Sequence, residues 1–310
     1  MKIAILGATS QIAQDLILSF FKNKNYSLLL FVRNVELIQA WMSGMNLSGQ
    51  YQVYTYADFN NNHSYDVVIN FVGAGDPAKI QEIGEGIVKV TEQYDNMALD
   101  YIKHHKKTKY IFLSSGVVFG GDYQKPVDEN TSTDININNP SPMDWYATAK
   151  RNAEKKHRDL LDLPIVDIRV FNYFSHTQDM SARLLMADIV RAIKNKEEFK
   201  TSPDNVVKDF ITPTDFYNFI QAVIDFESIN TALDCYTKEP IAKFDLLLEL
   251  KNKFKLQYEI NQSADIIDAA RVKMNYYSIN KVAGNIGYSP KKNSMDGIIQ
   301  EIHKYLKNYA

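Results

Sequence analysis

Tyr146 and Lys150 stand four residues apart in the stretch WYATAK, inside a segment that reads as helix. Positions i and i+4 share a helical face, so a phenol and an ammonium can serve one small volume there. Proton transfer is the chemistry such a pair could do. The same spacing also fits an ordinary surface pair, which arises readily by chance in a chain with 19 tyrosines. A second suggestive stretch, Gly7-Ala-Thr-Ser-Gln-Ile-Ala13, follows an apolar strand-like run and precedes a helix-like one. A dinucleotide fingerprint needs that context, because a pyrophosphate binds backbone N–H groups at a helix N-terminus. Only the first glycine of a G-x-x-G-x-x-G spacing is present. Ser10 and Ala13 hold the other two positions, and both are small enough for close backbone approach. A strand–turn–helix without a ligand has the same pattern. At the end of the next strand, FVRN gives Arg33 and no acid before Glu36. An acid there would bind a ribose 2′-hydroxyl, whereas arginine suits a 2′-phosphate, so Arg33 favours NADP over NAD. A solvated strand-end charge is the alternative.

The elements that must position these residues follow from the hydrophobic pattern. Lys2–Leu6, Ser27–Val32, Tyr51–Tyr56, Asp66–Val72, Lys109–Leu113 and Pro164–Val170 are mostly continuous apolar runs, as strands of a parallel sheet buried on both faces should be. Helical patterns separate them. Ile83, Ile87, Val90, Tyr94, Met97 and Tyr101 recur at three- and four-residue steps and predict one long helix over Gln81–His105. Segment 121–143, rich in Asp, Asn, Ser, Thr and Pro, predicts a loop. Repeated strand–helix units of this length indicate an α/β fold, a Rossmann-type doubly wound parallel sheet. After residue 170 the alternation weakens, with helical stretches near 180–194, 214–227 and 241–253. This divides the chain into a dinucleotide-binding domain over 1–170 and a smaller, mostly helical substrate lobe over 171–310. Part of 205–240 is expected to return to the sheet.

Bulk properties exclude several classes. The chain has 310 residues, an apolar fraction of 45% and a net charge of −2. That is enough for a real core and gives no electrostatic footprint for nucleic acid or an anionic membrane. One cysteine, Cys235, rules out an intramolecular disulfide framework and a Cys-rich zinc site. No apolar run approaches the ~20 residues that span a bilayer. The chain starts directly on a strand-like run, with no signal-peptide pattern, so a cytoplasmic location is expected.

Taken in order, AILGATSQIA, DVVINFVG, KYIFLSSGVVFGG, DWYATAKRNAE, LPIVDIRVFN, VVKDFITPTDF and YYSINKVAGNIGYSP resemble the extended short-chain dehydrogenase/reductases, the NAD-dependent epimerase/dehydratase group acting on nucleotide sugars. The resemblance runs over roughly residues 3–305. It implies a catalytic Ser115, Tyr146 and Lys150. A phenol ordinarily titrates near 10, and an ammonium together with a cationic nicotinamide favours the phenolate and brings it toward working pH. Ser115 would orient the substrate oxygen, and Lys150 would also hold the cofactor ribose. Cofactor contacts are implied for Gly7, Thr9, Ser10, Gln11 and Ile12, for Arg33, Asp58 and Phe59, and for Phe71, Val72 and Gly73. Asn172, Lys208 and Arg271 are implied near the nucleotide diphosphate, although lysine at 208 replaces an arginine fork with a point charge.

Within the group, 4,6-dehydratases carry Asp-Glu directly after the catalytic hydroxyl residue, whereas this chain has Gly116-Val117. The cysteine that epimerase-reductases place after the serine pair is absent, and His176 reads as a loop residue. Two readings follow. SSGVVFGGDYQKPVDEN and GATSQIA resemble dTDP-4-dehydrorhamnose reductase, and with Arg33 they favour an NADPH-dependent reductase of a nucleotide-linked 4-keto sugar. The alternative is a nucleotide-sugar 4-epimerase. A non-catalytic NADP(H)-binding regulator is a third, disfavoured by the retained Tyr–Lys pair. NADP(H) is the expected cofactor, with NAD(H) open. A nucleotide-diphosphate sugar is the expected partner, with a homodimer open.

Overall fold

Five of the six expected strand runs lie side by side where the pattern puts them, and the sixth, Tyr51–Tyr56, joins them at an edge. The computed structural model describes residues 1–22, 26–60, 63–121, 123–133, 140–227, 229–261 and 273–308. Strand β1 (Lys2–Leu6) leads through α1 (Gln11–Phe21) to β2 (Ser27–Val32), α2 (Val35–Gly44) and β3 (Gln52–Thr55). Then come β4 (Val67–Asn70), α3 (Pro77–Ile83), α4 (Gly86–His104), β5 (Lys109–Ser115), α5 (Pro142–Arg158) and β6 (Ile165–Val170). The expected single helix over 81–105 is two. Gly84 takes φ +55°, a backbone that favours glycine, and there α3 ends before α4 starts at Gly86.

Beyond β6 the elements are shorter. They are β7 (Asn172–Tyr173), α6 (Leu185–Asn195), β8 (Glu198–Thr201), β9 (Val207–Lys208), β10 (Phe210–Ile211) and α7 (Pro213–Asp225). They continue with β11 (Thr231–Asp234), β12 (Ile241–Ala242), α8 (Lys243–Phe254), β13 (Gln257–Ile260), β14 (Asn275–Tyr276) and α9 (Ser294–Asn308). Seven strands form one sheet in the order β11-β6-β5-β4-β1-β2-β3, every pair parallel. The order reverses beside β1, which opens a crevice at the strands' C-terminal ends, the usual ligand position in such sheets. Both faces are covered. Ile3 and Ile5 pack with α1 and α7, whereas Ala4, Leu6 and Phe112 pack toward α4 and α5.

The remaining strands make small sheets, β10-β7, β12-β9-β14 and β13-β8. Helices α6, α8 and α9 close over them around Phe174, Ile189, Leu247 and Ile302. Among the described residues, no helix is long and apolar enough to cross a membrane.

Candidate active site

Helix α5 carries the central pair. A capping box starts it: Ser141 Oγ accepts from the Asp144 N–H at 3.3 Å, and Asp144 Oδ2 accepts from the Ser141 N–H at 2.8 Å. Pro142 at the first helical position needs no partner for a missing N–H. Tyr146, Ala147, Ala149, Lys150, Ala153, Glu154 and His157 form its buried stripe. Tyr146 and Lys150 therefore face inward on one face, and the surface-pair reading does not hold.

Lys150 is 3% exposed, and its Nζ donates to the Leu113 carbonyl at 2.7 Å and lies 4.5 Å from the Phe112 ring centre. Burial pulls its pKa down to about 8, while the charges of Asp95, Glu154 and Asp167 resist that fall. Nζ stands 5.8 Å from the Tyr146 ring centre. Burial pushes the Tyr146 phenol up to about 12, and a hydrogen bond with Ser115 pulls the other way. Among the protein's own groups, desolvation outweighs everything that would lower this phenol, and the expected lowering includes the charge of a bound nicotinamide. Ser115 ends β5 and also caps the turn that follows, its Oγ accepting from the Val117 N–H at 3.4 Å. Its neighbour Ser114 does not cap; its Oγ donates to Glu154 Oε1 at 2.5 Å.

The glycine loop after β1 is built against this site. Gly7 has φ +76°, and a Cβ there would meet the backbone of Phe71 and Val72 at 2.9 Å. Only glycine lets the loop lie on the end of β4. Ser10 caps α1, its Oγ accepting from the Ala13 N–H at 3.3 Å. Gln11 and Ile12 open that helix, Thr9 is exposed before it, and the first turn carries no acid that would repel a phosphate. Gly73 (φ +151°) follows β4, and a Cβ there would stand 3.5 Å from Lys150 Nζ. The loop after β1, the end of β4 and α5 thus converge on one crevice, and their residues suit a dinucleotide.

The other expected cofactor residues differ. Arg33 is exposed at the end of β2. Asp58 Oδ2 accepts from the Thr55 N–H at 3.0 Å and hydroxyl at 2.7 Å, bracing the turn after β3. Phe59 is committed to the core against Phe31, Tyr65 and Tyr101. Phe71 packs on Phe216, and the Val72 N–H donates to Asn70 Oδ1 at 2.9 Å.

On the lobe side, Asn172 Nδ2 donates to the Asp209 and Tyr276 carbonyls at 3.2 and 3.3 Å, so its amide ties strands together. Lys208 lines a small cleft with Lys243 between apolar walls, among them Leu185, Phe210 and Ile241. Arg271 lies outside the described residues. His176, in the loop after β7, sets Nδ1 2.6 Å from Glu301 of α9, away from Tyr146.

Three sets of residues that pattern reading missed surround the pair. Tyr276 is buried, its ring 4.8 Å from that of Tyr123 and 5.2 Å from that of Phe171. Glu154 pairs with Arg169 at 2.6 Å, and Arg169 reaches Asp234 at 3.5 Å. Fully buried His157 bridges Asp167 and Asp95 at 2.6 and 2.7 Å. YYSINK was a visible signal for the first; the two charge sets had none.

Comparison with known proteins fits this geometry. No curated protein sequence matches the chain significantly. The structure is similar to a UDP-glucuronic acid 4-epimerase from Bacillus cereus in complex with UDP-glucuronic acid and NAD, at 17% identity and TM-score 0.79, covering all of both chains. It is similar to a UDP-glucose-4-epimerase from Stenotrophomonas maltophila with bound NAD, at 16% identity and TM-score 0.80, covering 100% of this chain and 98% of that one. A dTDP-glucose 4,6-dehydratase from Bacillus anthracis in complex with NAD reaches 15% identity and TM-score 0.77, with 99% and 97% covered. The sequence model of the NAD dependent epimerase/dehydratase family matches residues 3–232, and the chain belongs to that family.

Proposed function

We propose that this protein is an NAD(H)-dependent nucleotide-sugar 4-epimerase. The observation that carries the reading is the makeup of the strand end: Ser115 and Tyr146 meet there, and the next residues, Gly116 and Val117, supply no acid or base. One hydroxyl pair serves one carbon. When bound, the cofactor supplies a reversible hydride acceptor. With the cofactor's positive charge beside it, Tyr146 would first give up its own proton; as the phenolate it would then take the proton of the C4 hydroxyl while hydride leaves that carbon, and return it to the oxygen after the ketone has turned its other face. Ser115 donates a hydrogen bond to the same oxygen. Lys150, charged below about pH 8, faces Gly73 and would hold the cofactor against the sheet end. Lys208 would meet the diphosphate from the lobe side. Epimerases of similar fold support this over the reductase reading. Exposed Arg33 is the observation that favours the reductase, since it leaves the end of β2 without an acid.

The test is incubation with substoichiometric NAD and, in turn, UDP-glucose, UDP-glucuronic acid and UDP-N-acetylglucosamine, followed by NMR of the products. One sugar should convert to its 4-epimer without accumulating NADH, and Tyr146→Phe should slow this about 10²–10⁴-fold. Equal rates in both proteins would remove Tyr146 from the chemistry. Consumption of NADPH by a 4-keto sugar nucleotide, with NADH tenfold weaker and Arg33→Ala erasing the difference, would establish the reductase instead.

A further inference from the structure

We propose that Asp15 is a positioning residue that couples the loop after β1 to the lobe of α6, α8 and α9, so that NAD seated at the start of α1 orders that lobe. The inference rests on the reading of the β1–α1 loop as a dinucleotide site. Asp15 lies one turn beyond Gln11 on α1 and is 3% exposed, a carboxylate taken out of water in the second turn of a helix. An apolar side chain would cost less there, because a buried charge loses its hydration and recovers the loss only through good donors. The donors come from across the fold. Tyr173 of β7 donates its hydroxyl to Oδ2 at 2.9 Å, and Thr177, in the loop after β7, donates to Oδ1 at 2.7 Å. Gln11, the first residue of α1, sets Nε2 3.5 Å from Oδ2. Burial raises the Asp15 pKa and the two hydroxyls oppose the rise, so the anion depends on the β7 segment for its compensation.

The segment that supplies those donors also reaches the other way. Tyr173 sets its ring edge-on to Phe216 of α7 at 5.7 Å, on the sheet side. Phe174 has no exposed surface and packs in the lobe core with Ile189, Leu247 and Ile302. Thr177 faces Asp15, and its N–H donates to Ser175 Oγ at 3.2 Å. His176, between them, turns to α9: its N–H donates to Glu301 Oε2 at 3.1 Å, and its Nδ1 lies 2.6 Å from the same oxygen. Glu301 is 1% exposed, and Lys304 donates to its other oxygen at 2.7 Å. Polar contacts therefore run from the first turn of α1 through Asp15, Thr177 and His176 to the middle of α9.

Such a set transmits order in a way that apolar packing does not. Aliphatic side chains at residue 15 and in the β7 segment would tolerate sliding, whereas a buried carboxylate must keep both hydroxyls or bear an uncompensated charge. A pyrophosphate on the N–H groups at the start of α1 fixes the first turn of the helix. Asp15, one turn on, is fixed with it, and the segment carrying its two donors loses freedom in the same event. His176 hands that restriction to α9. Linkage makes the effect reciprocal, so whatever orders the lobe tightens NAD by the same factor.

The test is hydrogen–deuterium exchange with and without NAD in the wild type, Asp15→Asn, Thr177→Val and His176→Gln, followed by mass spectrometry on peptides covering residues 3–16, 172–184 and 294–305. In the wild type NAD should slow exchange over 3–16 and, by about tenfold, over the two lobe peptides. Asp15→Asn and Thr177→Val should keep the protection over 3–16 and lose it over both lobe peptides. His176→Gln should keep it over 172–184 and lose it over 294–305 alone, a pattern that general loosening of the fold does not produce. Thr177→Val preserves the side chain's shape and serves if Asp15→Asn does not fold. Lobe protection that persists in the Asp15 and Thr177 variants, or that is missing from the wild type while 3–16 is protected, overturns the proposal. NAD that protects no peptide overturns it together with the cofactor reading. The exchange needs no sugar, so failure of every UDP-sugar to turn over would count against the epimerase reading alone.

Discussion

At the scale of single residues, burial decides what the central pair does. An ammonium beside a phenol lowers the phenol's pKa only when the two are close and the phenol stays wet enough to ionise. Here Tyr146 is desolvated, Lys150 is turned to the Leu113 carbonyl, and each pKa moves toward its neutral form. For Lys150 this places a titration at about 8, inside the working range. Its folded pKa is depressed, so the charge is present below about pH 8 and lost above it. NAD affinity should therefore fall as pH rises through about 8, and Lys150→Met should bind NAD weakly with no such dependence. Calorimetric titration with NAD between about pH 6.5 and pH 9.5 measures both. A wild-type affinity that stays flat across that range would separate Lys150 from cofactor binding.

At the scale of elements, the turn between β1 and α1 is the tightest constraint on the site. Gly7 and Gly49 share nearly the same φ, +76° and +75°, yet a Cβ at Gly7 meets two backbone atoms at 2.9 Å and one at Gly49 meets nothing within 4 Å. Gly49→Ala should thus report the conformational term alone, roughly 1–2 kcal/mol. Gly7→Ala should lose more stability and at least tenfold in NAD affinity, since the loop must lift off β4 and carry the start of α1 with it. Urea unfolding and NAD titration of the two variants would show the contrast, and equal effects would mean the loop does not frame the cofactor. This turn and the i, i+4 pair were legible in the sequence because each is a local pattern with a strict steric reason. The break at Gly84 was not. Ile83, Ile87 and Val90 keep helical spacing across it, and periodicity records a face without recording an interruption. Nor could spacing reveal Tyr276 in one apolar cluster with Tyr146, or Glu154, Arg169, Asp234 and Ser278 as one chain. Those contacts join residues that only the sheet order and the return of β11 bring together.

At the scale of the whole molecule, α4, α5, β5 and β6 are fastened by a buried charge cluster behind the site. His157 has no exposed surface and sets its two ring nitrogens against Asp167 on β6 and Asp95 on α4. Tyr110 of β5 donates to Asp95 at 3.0 Å and Asn70 of β4 donates to Tyr110 at 3.0 Å. Lys156 and Arg158 complete the cluster at 2.7 and 2.8 Å from Asp95 and Asp167. Burial alone would lower the His157 pKa, but the charges and hydrogen bonds of Asp167 and Asp95 outweigh it and raise the value to about 9. In the unfolded chain a histidine titrates near 6.5. A folded pKa above the unfolded one means that the stabilisation is fully present below about pH 6.5 and drains away as pH climbs to about 9. The span corresponds to a few kcal/mol. His157→Gln keeps the side chain's reach but removes the cation between two carboxylates, so it should destabilise the fold most below pH 6.5, by about 3–5 kcal/mol for a broken buried ionic arrangement. Denaturant melts at about pH 6 and pH 9.5 should show the wild type losing its advantage over the variant at the higher pH. Parallel losses at both would mean that His157 is held neutral and that the cluster packs α5 without contributing charge.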